Sequence, residues 1–147
     1  MSLPIPVSIV QRHVPPPPEE AEESPEPADL RRIVMVEDDL TLQQVVNELL
    51  IDDDLTCFSE GPQALEHCRG GETDLVLLDL TLQGGWDGWR VLEELAELEE
   101  PPPVILTTGS IEVTADELEY PQIELLRKPF RLDELEGAVN RALGTPA

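Results

Sequence analysis

Three short segments of the chain place carboxylates and a single lysine where they could handle a phosphoryl group. Glu37, Asp38 and Asp39 follow one apolar run, and Asp79 follows another. Lys128 is the only lysine of the 147 residues, and every other basic residue is arginine. A lysine ammonium suits contact with one oxygen, whereas the planar arginine fork suits paired oxygens. The lysine therefore favours a contact to a phosphoryl oxygen, although a surface lysine kept by chance explains it equally well in isolation.

Clustered carboxylates need a cationic partner. Two of them about 4 Å apart repel by about 4 kcal/mol at an effective dielectric constant of about 20. A divalent cation relieves this repulsion, and ligands that are all oxygen favour Mg²⁺ or Mn²⁺ over zinc. A carboxylate can also act as a nucleophile and give an aspartyl phosphate. The alternative is that strand-end carboxylates cap the following helix, a role that suits Asp39.

Alternating strands and helices are predicted to carry these residues. The predicted strands are short apolar runs, typical of parallel strands buried on both faces, at 33–36, 55–58, 75–78, 104–107 and 123–126. Apolar residues at helical spacing follow every strand except the fourth. Residues 110–122 predict a fourth helix that is short or irregular. The pattern predicts an α/β fold with a doubly wound, five-stranded parallel sheet.

That sheet would gather the reactive side chains at one rim, because ligands of open parallel sheets bind outside the carboxyl ends of the strands. The polar residues that follow the first, third, fourth and fifth strands are Glu37, Asp38 and Asp39, then Asp79, Thr108 and Lys128. One such coincidence is common. Four of them in this order favour a functional site over four separate helix caps.

Composition narrows the class of partner. The formal net charge of −23 argues against binding of nucleic acid or of an anionic membrane, and it favours basic, cationic or metallic partners. No stretch is long enough to span a bilayer, and Pro4 and Pro6 interrupt the region where a signal peptide would be apolar. We therefore expect a cytoplasmic protein. Cys57 and Cys68 lack metal-site spacing and are predicted to be buried free thiols.

Residues 1–29 differ in composition from the predicted domain at 30–147. Four prolines at 15–18 precede a stretch rich in glutamate and proline, and repeated proline with like charge opposes collapse. We predict a flexible extension. The alternation of apolar residues with proline at 3–9 leaves open a peptide that adds to a sheet edge.

Residues 31–145 resemble the receiver domain of two-component response regulators, in particular the stand-alone regulators of the chemotaxis type. The resemblance lies in four motifs: Val-Glu-Asp-Asp at 36–39, Asp-Leu-Val-Leu-Leu-Asp-Leu at 74–80, Val-Ile-Leu-Thr-Thr-Gly at 104–109, and Lys-Pro-Phe at 128–130, where the Lys-Pro bond of the family is typically cis. It implies the flavodoxin-like receiver fold.

The resemblance also implies a role for each residue of the rim. Asp79 would accept a phosphoryl group from the phosphohistidine of a sensor histidine kinase or a histidine phosphotransfer protein. Mg²⁺ would be bound by Asp38, Asp79 and the carbonyl of Thr81, with Glu37 acting through water. Thr108 and Lys128 would hold the transferred group.

The implied output is a phosphorylation-dependent contact with a downstream protein, or onward relay of the phosphate. The resemblance implies that the protein is not an enzyme in the usual sense, because it would catalyse only its own phosphorylation and dephosphorylation. The chain ends four residues after Leu143, which predicts a receiver without an output domain. A domain of a longer protein, with 15–29 as its linker, is the alternative.

Some positions depart from the family. Gln83 stands where the loop after the phosphoacceptor usually has proline, and Leu125 replaces the aromatic residue whose rotation reports phosphorylation. These departures favour a second hypothesis, a receiver-like interaction module that signals without phosphate. A phosphatase of the haloacid-dehalogenase type is a third hypothesis, but it needs an aspartate where Thr81 stands.

Of the two tryptophans, Trp89 is predicted to lie in the core and Trp86 over the site or on the surface.

Overall fold

A computed structural model of the chain describes residues 30–83, 85–110, 112–114 and 118–144. The strands are β1 (Arg32–Val36), β2 (Asp54–Phe58), β3 (Leu75–Asp79), β4 (Val104–Thr108) and β5 (Ile123–Arg127). The helices are α1 (Leu40–Leu49), α2 (Gly61–Cys68), α3 (Gly88–Ala96) and α4 (Leu132–Leu143). The predicted extension at 1–29 lies outside the described residues, so the domain boundary at residue 30 stays a prediction.

The five strands form one parallel sheet in the order β2-β1-β3-β4-β5. The strand order reverses between β1 and β3, which is where ligands of this topology bind. The predicted fold class is confirmed, and each observed strand begins or ends within one residue of its predicted range.

The helices cover both faces of the sheet, which explains why the inner strands are apolar throughout. Alternate residues of the strands pack with α2 and α3 on one face, in a cluster that includes Val36, Leu78 and Leu106. The intervening residues pack with α1 and α4 on the other face, in a cluster that includes Met35 and Ile105. Because helices cover both faces of the sheet, β3 and β4 are buried along their whole length.

The connection from β4 to β5 has no helix among its described residues, 109, 110, 112–114 and 118–122. This agrees with the weak apolar periodicity of the segment. Tyr120 belongs to this connection, packs against the sheet and donates its hydroxyl proton to the Pro102 carbonyl at 2.6 Å. Burial raises the pKa of Tyr120. Its contact precedes the start of β4, whereas Thr108 lies at the strand's end, so Tyr120 does not replace the missing aromatic.

The two tryptophans differ in burial, and Trp89 does not lie where it was predicted. Trp89 is 42% exposed, so its prediction as a core residue is wrong. The buried stripe of α3 is formed by Val91, Leu92 and Leu95, and Trp89 lies at the margin of that stripe. Trp86 is half-buried, packs against the core, and carries the Arg90 guanidinium 4.3 Å above its ring.

Both cysteines are free thiols, but they differ in burial. Cys68 is buried and Cys57 only partly so, because β2 is an edge strand. Burial raises the pKa of both thiols.

None of the described helices combines the length and apolar character needed to cross a bilayer.

Candidate functional site

The carboxyl ends of β1 and β3 bring three acidic residues together. The strand register pairs Val36 with Leu78, so the residues that follow them, Glu37 and Asp79, come side by side. One carboxylate oxygen each from Glu37, Asp38 and Asp79 lies within 4.8 Å of the other two. Such proximity is unfavourable without a cation, and an all-oxygen set of this kind fits a hard divalent ion such as Mg²⁺.

Lys128 brings a positive charge to two of these carboxylates. It follows the last residue of β5, and its peptide bond to Pro129 is cis. Its Nζ lies 3.3 Å from Glu37 Oε1 and 3.5 Å from Asp79 Oδ2. The carboxylate side chains are each 3% exposed, whereas that of Lys128 is 28% exposed. The ammonium therefore faces both the buried carboxylates and the solvent.

Burial dominates the electrostatics of Glu37. Loss of solvation, reinforced by the charge of Asp79, raises the pKa of Glu37 from 4.5 to about 7. The nearby Lys128 ammonium and the Asp39 backbone N–H lower the pKa and offset part of this rise. In the absence of a metal ion, Glu37 therefore keeps its proton to a higher pH than an exposed glutamate does, and a divalent cation would compete with that proton.

In the absence of divalent metal, we expect the free energy of unfolding to fall as the pH rises from about 4.5 to about 7. The folded state binds the Glu37 proton more tightly than the unfolded chain does, so stability is lost as this proton leaves. The loss from Glu37 should be roughly 2 kcal/mol. Urea unfolding in EDTA at about pH 5 and about pH 8 measures it.

Glu37→Gln is the matched control, because the amide keeps the size of the side chain and cannot ionise. The difference in stability between wild type and variant should therefore change with pH. Two curves that stay parallel over this range would show that Glu37 titrates normally.

The phosphoacceptor candidate is held by the residues that follow it. The backbone N–H and the hydroxyl of Thr81 both donate to Asp79 Oδ1 at 3.0 Å. The N–H of Gln83 donates to Asp38 Oδ2 at 3.1 Å, so the loop after β3 is tied to the loop after β1. These bonds leave Asp79 Oδ2, the oxygen nearest Lys128, turned to the centre of the cluster.

Thr108 completes the rim from β4. Its side chain is fully buried, and its Oγ1 accepts a hydrogen bond from the Ser110 N–H at 3.0 Å. The Lys128 N–H donates to the Thr108 carbonyl at 2.8 Å, so the ends of β4 and β5 are joined directly beside the acidic cluster. The structure thus assembles Glu37, Asp38 and Asp79 with Lys128, and Thr108 lies on the neighbouring strand.

A family model described as the response regulator receiver domain matches residues 33–140. The chain belongs to this family. The match covers every strand and helix described above except the first residue of β1 and the end of α4.

This receiver matches nearly the whole length of one known relative and only a part of another. It is 29% identical over 116 residues to sporulation initiation phosphotransferase F of Bacillus subtilis, spanning 76% of this chain and 93% of that protein. It is 31% identical over 113 residues to the DNA-binding transcriptional regulator NtrC of Escherichia coli. That match spans 74% of this chain but only 24% of NtrC, so the receiver corresponds to about a quarter of that regulator.

Solved structures give the same architecture. The receiver domain of the sensor histidine kinase PA1611 from Pseudomonas aeruginosa, solved with magnesium coordinated in its active-site cleft, is 26% identical, with a TM-score of 0.69 over 79% of this chain and 99% of that one. The receiver domain of NtrX from Brucella abortus is 28% identical, with a TM-score of 0.68 over 77% and 98% of the two chains. The acidic cluster of this chain offers oxygen ligands that suit a divalent ion of this kind.

Two residues that support the receiver site were missed by sequence reasoning. Gln43 of α1 donates its side-chain N–H to the Glu37 carbonyl at 2.6 Å and so holds the end of β1. Gly88 begins α3 directly against the peptide between Asp79 and Leu80, and its N–H donates to the Leu80 carbonyl at 3.1 Å. A glycine beside aspartate at the start of a helix was a usable signal, whereas nothing in the sequence marks Gln43.

Proposed function

We propose that this receiver accepts a phosphoryl group on Asp79 in a Mg²⁺-dependent reaction and signals through phosphorylation-dependent contacts with other proteins. The observation that carries the proposal is the Lys128 ammonium, which lies within 3.5 Å of both Glu37 and Asp79. A structural ion pair needs one carboxylate. A lysine shared by two buried carboxylates at a solvent-facing rim suits an incoming anion.

The residues divide the work of phosphoryl transfer, which is mainly positioning and neutralisation of charge. An Asp79 oxygen would attack the phosphorus of a phosphohistidine, the phosphorus–nitrogen bond would break, and the imidazole would leave as the aspartyl phosphate forms. Lys128 would bind an oxygen of the transferred group, and the Thr108 hydroxyl would donate to another. Bound Mg²⁺ would supply further neutralisation, held by Asp38, Asp79 and the carbonyl of Thr81, with Glu37 acting through water.

The proposed partners follow from this chemistry. The phosphodonor would be a sensor histidine kinase or a histidine phosphotransfer protein in the cytoplasm, and the output would be a contact with a downstream protein. The relative from Bacillus subtilis is a phosphotransferase by name, which supports relay of the phosphoryl group as a function. The net charge of −23 favours basic protein surfaces over nucleic acid. The proposal includes catalysis of the phosphorylation and dephosphorylation of Asp79 and no reaction on a separate substrate.

The direct test is the intact mass of the protein after incubation with Mg²⁺ and acetyl phosphate. We expect one phosphoryl adduct that EDTA prevents and that hydroxylamine removes, since an aspartyl phosphate is an acyl phosphate. Reduction with borohydride followed by peptide mapping should place the adduct at Asp79. If Mg²⁺ binds and no adduct forms at any donor concentration, this proposal fails.

A receiver-like module that signals without phosphate is the second candidate. Leu125 favours it, because this position lacks the aromatic ring of the family, and so does the absence of a helix between β4 and β5 among the described residues. The assembled set of Glu37, Asp38, Asp79 and Lys128 opposes it. The adduct experiment separates the two, because the second candidate predicts Mg²⁺ binding alone.

A further inference from the structure

One side chain holds the backbone that follows β4. The described part of this connection has no helix, so its carbonyl groups have no intrahelical partners there. The Arg127 guanidinium donates to two of them, the carbonyls of Ser110 and Val113. A planar fork with several donors is suited to bridging two acceptors, whereas a lysine ammonium is a single point of charge. Arg127 therefore ties the segment after β4 to the end of β5.

Ser110 links Arg127 to the reactive rim. Its carbonyl accepts from Arg127, and its N–H donates to Thr108 Oγ1 at 3.0 Å. The β4–β5 register pairs Thr108 with Arg127, and paired residues of neighbouring strands project from the same face of the sheet. Because Oγ1 accepts from Ser110, the hydroxyl proton of Thr108 remains available for another acceptor.

The neighbouring side chains do not supply an alternative tie. Leu125 lies two residues earlier on the same face of β5 and packs into the core without a hydrogen-bonding group. Tyr120 bonds to Pro102, before the start of β4. In the part of the connection that the structure describes, Arg127 is thus the side chain that ties the Ser110 carbonyl to β5, while the Ser110 N–H is bonded to Thr108 itself.

We propose that Arg127 is a positioning residue for Thr108. By fixing the Ser110 peptide, it holds the Thr108 hydroxyl oriented to donate to a phosphoryl group on Asp79. Arg127 touches neither the phosphoryl group nor the metal ligands in this role. The inference rests on the proposed function. It gives the arginine at the end of β5 a role in orienting the Thr108 hydroxyl, in a chain that has Leu125 where the family has an aromatic residue.

The test compares binding of two probes, Mg²⁺ alone and beryllium trifluoride in the presence of Mg²⁺, both followed by the fluorescence of the tryptophans. Arg127→Ala should weaken binding of beryllium trifluoride about fivefold, the worth of one well-oriented hydrogen bond. Its Mg²⁺ affinity should equal that of the wild type, because the acidic cluster is untouched. Arg127→Lys should recover part of the loss, since an ammonium can reach one of the two carbonyls.

Arg141→Ala is the matched control, because Arg141 is also an exposed arginine and pairs with Glu124 of β5. It should leave both affinities unchanged. Amide exchange adds a readout independent of the probes: the Ser110 N–H should exchange faster in Arg127→Ala than in Arg141→Ala.

Several outcomes would overturn this role. Equal affinity for beryllium trifluoride in wild type and Arg127→Ala would show that Arg127 does not position Thr108. This conclusion would hold even if the variant had a lower melting temperature than the wild type. Parallel loss of Mg²⁺ and beryllium trifluoride binding would show general damage to the site. A wild type that binds Mg²⁺ but no beryllium trifluoride would reject the proposed function itself, and the role of Arg127 with it.

Discussion

An Asp79→Asn receiver should form no phosphoryl adduct and should be more stable than the wild type in the absence of Mg²⁺. The first effect follows because a neutral amide oxygen is not a useful nucleophile toward phosphorus. The second follows because Asp79 is buried beside Glu37 and raises its pKa, so the two carboxylates oppose each other in the folded state. Loss of the contact to Lys128 offsets part of the gain, which should be about 1–2 kcal/mol.

Mg²⁺ should reverse this ranking. If the three clustered carboxylates bind the ion as proposed, millimolar Mg²⁺ should raise the melting temperature of the wild type more than that of the variant, which lacks one of them. Thermal and urea unfolding with and without Mg²⁺, together with intact mass after treatment with acetyl phosphate, measure both effects.

Asp74→Asn is the matched control for this substitution. Asp74 lies just before the same strand and accepts the Arg32 N–H at 2.8 Å, far from the acidic cluster along β3. This variant should keep the adduct and should be no more stable than wild type. An adduct on Asp79→Asn would move the phosphoacceptor elsewhere, and a drop in its metal-free stability would show that the carboxylates do not oppose each other.

Gly88→Ala is expected to destabilise the fold by about 2–4 kcal/mol and to slow phosphoryl uptake at least about tenfold. An added Cβ would lie 2.4 Å from Leu80 Cα and 2.5 Å from the Asp79 carbonyl oxygen. These are backbone atoms of the peptide that carries the phosphoacceptor, so no side-chain rotation relieves the overlap. Either α3 moves away from the sheet or the Asp79 peptide moves, and each change disturbs the site.

Gly85→Ala tests whether this effect is specific to the position. Gly85 lies in the same loop, and an added Cβ there meets no atom within 4 Å. Its stability and rate of phosphoryl uptake should therefore match those of the wild type within a few tenths of a kcal/mol and about twofold. Urea unfolding and the time course of adduct formation compare the two variants. Equal behaviour of Gly88→Ala and Gly85→Ala would show that the contact between α3 and the Asp79 peptide is unimportant.

Much of the fold and of the rim was predictable because it depends on local patterns and on the topology of parallel sheets. The apolar runs at 33–36 and 75–78 are buried on both faces, so they stand out in the sequence. Once these strands are neighbours in one parallel sheet, the residues after them must meet. Glu37 and Asp79 are brought together in this way, and Asp39 caps α1 as expected by accepting the N–H groups of Thr41 and Leu42.

The sequence by itself thus determined the fold class, the rim at which the carboxylates meet and the candidate phosphoacceptor. Only the tertiary structure decided the contacts that depend on how a helix is rotated or where a loop runs. These are the exposure of Trp89, the closeness of Gly88 to the Asp79 peptide, and the bridge from Arg127 to Ser110. The physical reason is that periodicity specifies which face of an element is buried. It does not specify which atoms of distant segments that face will meet.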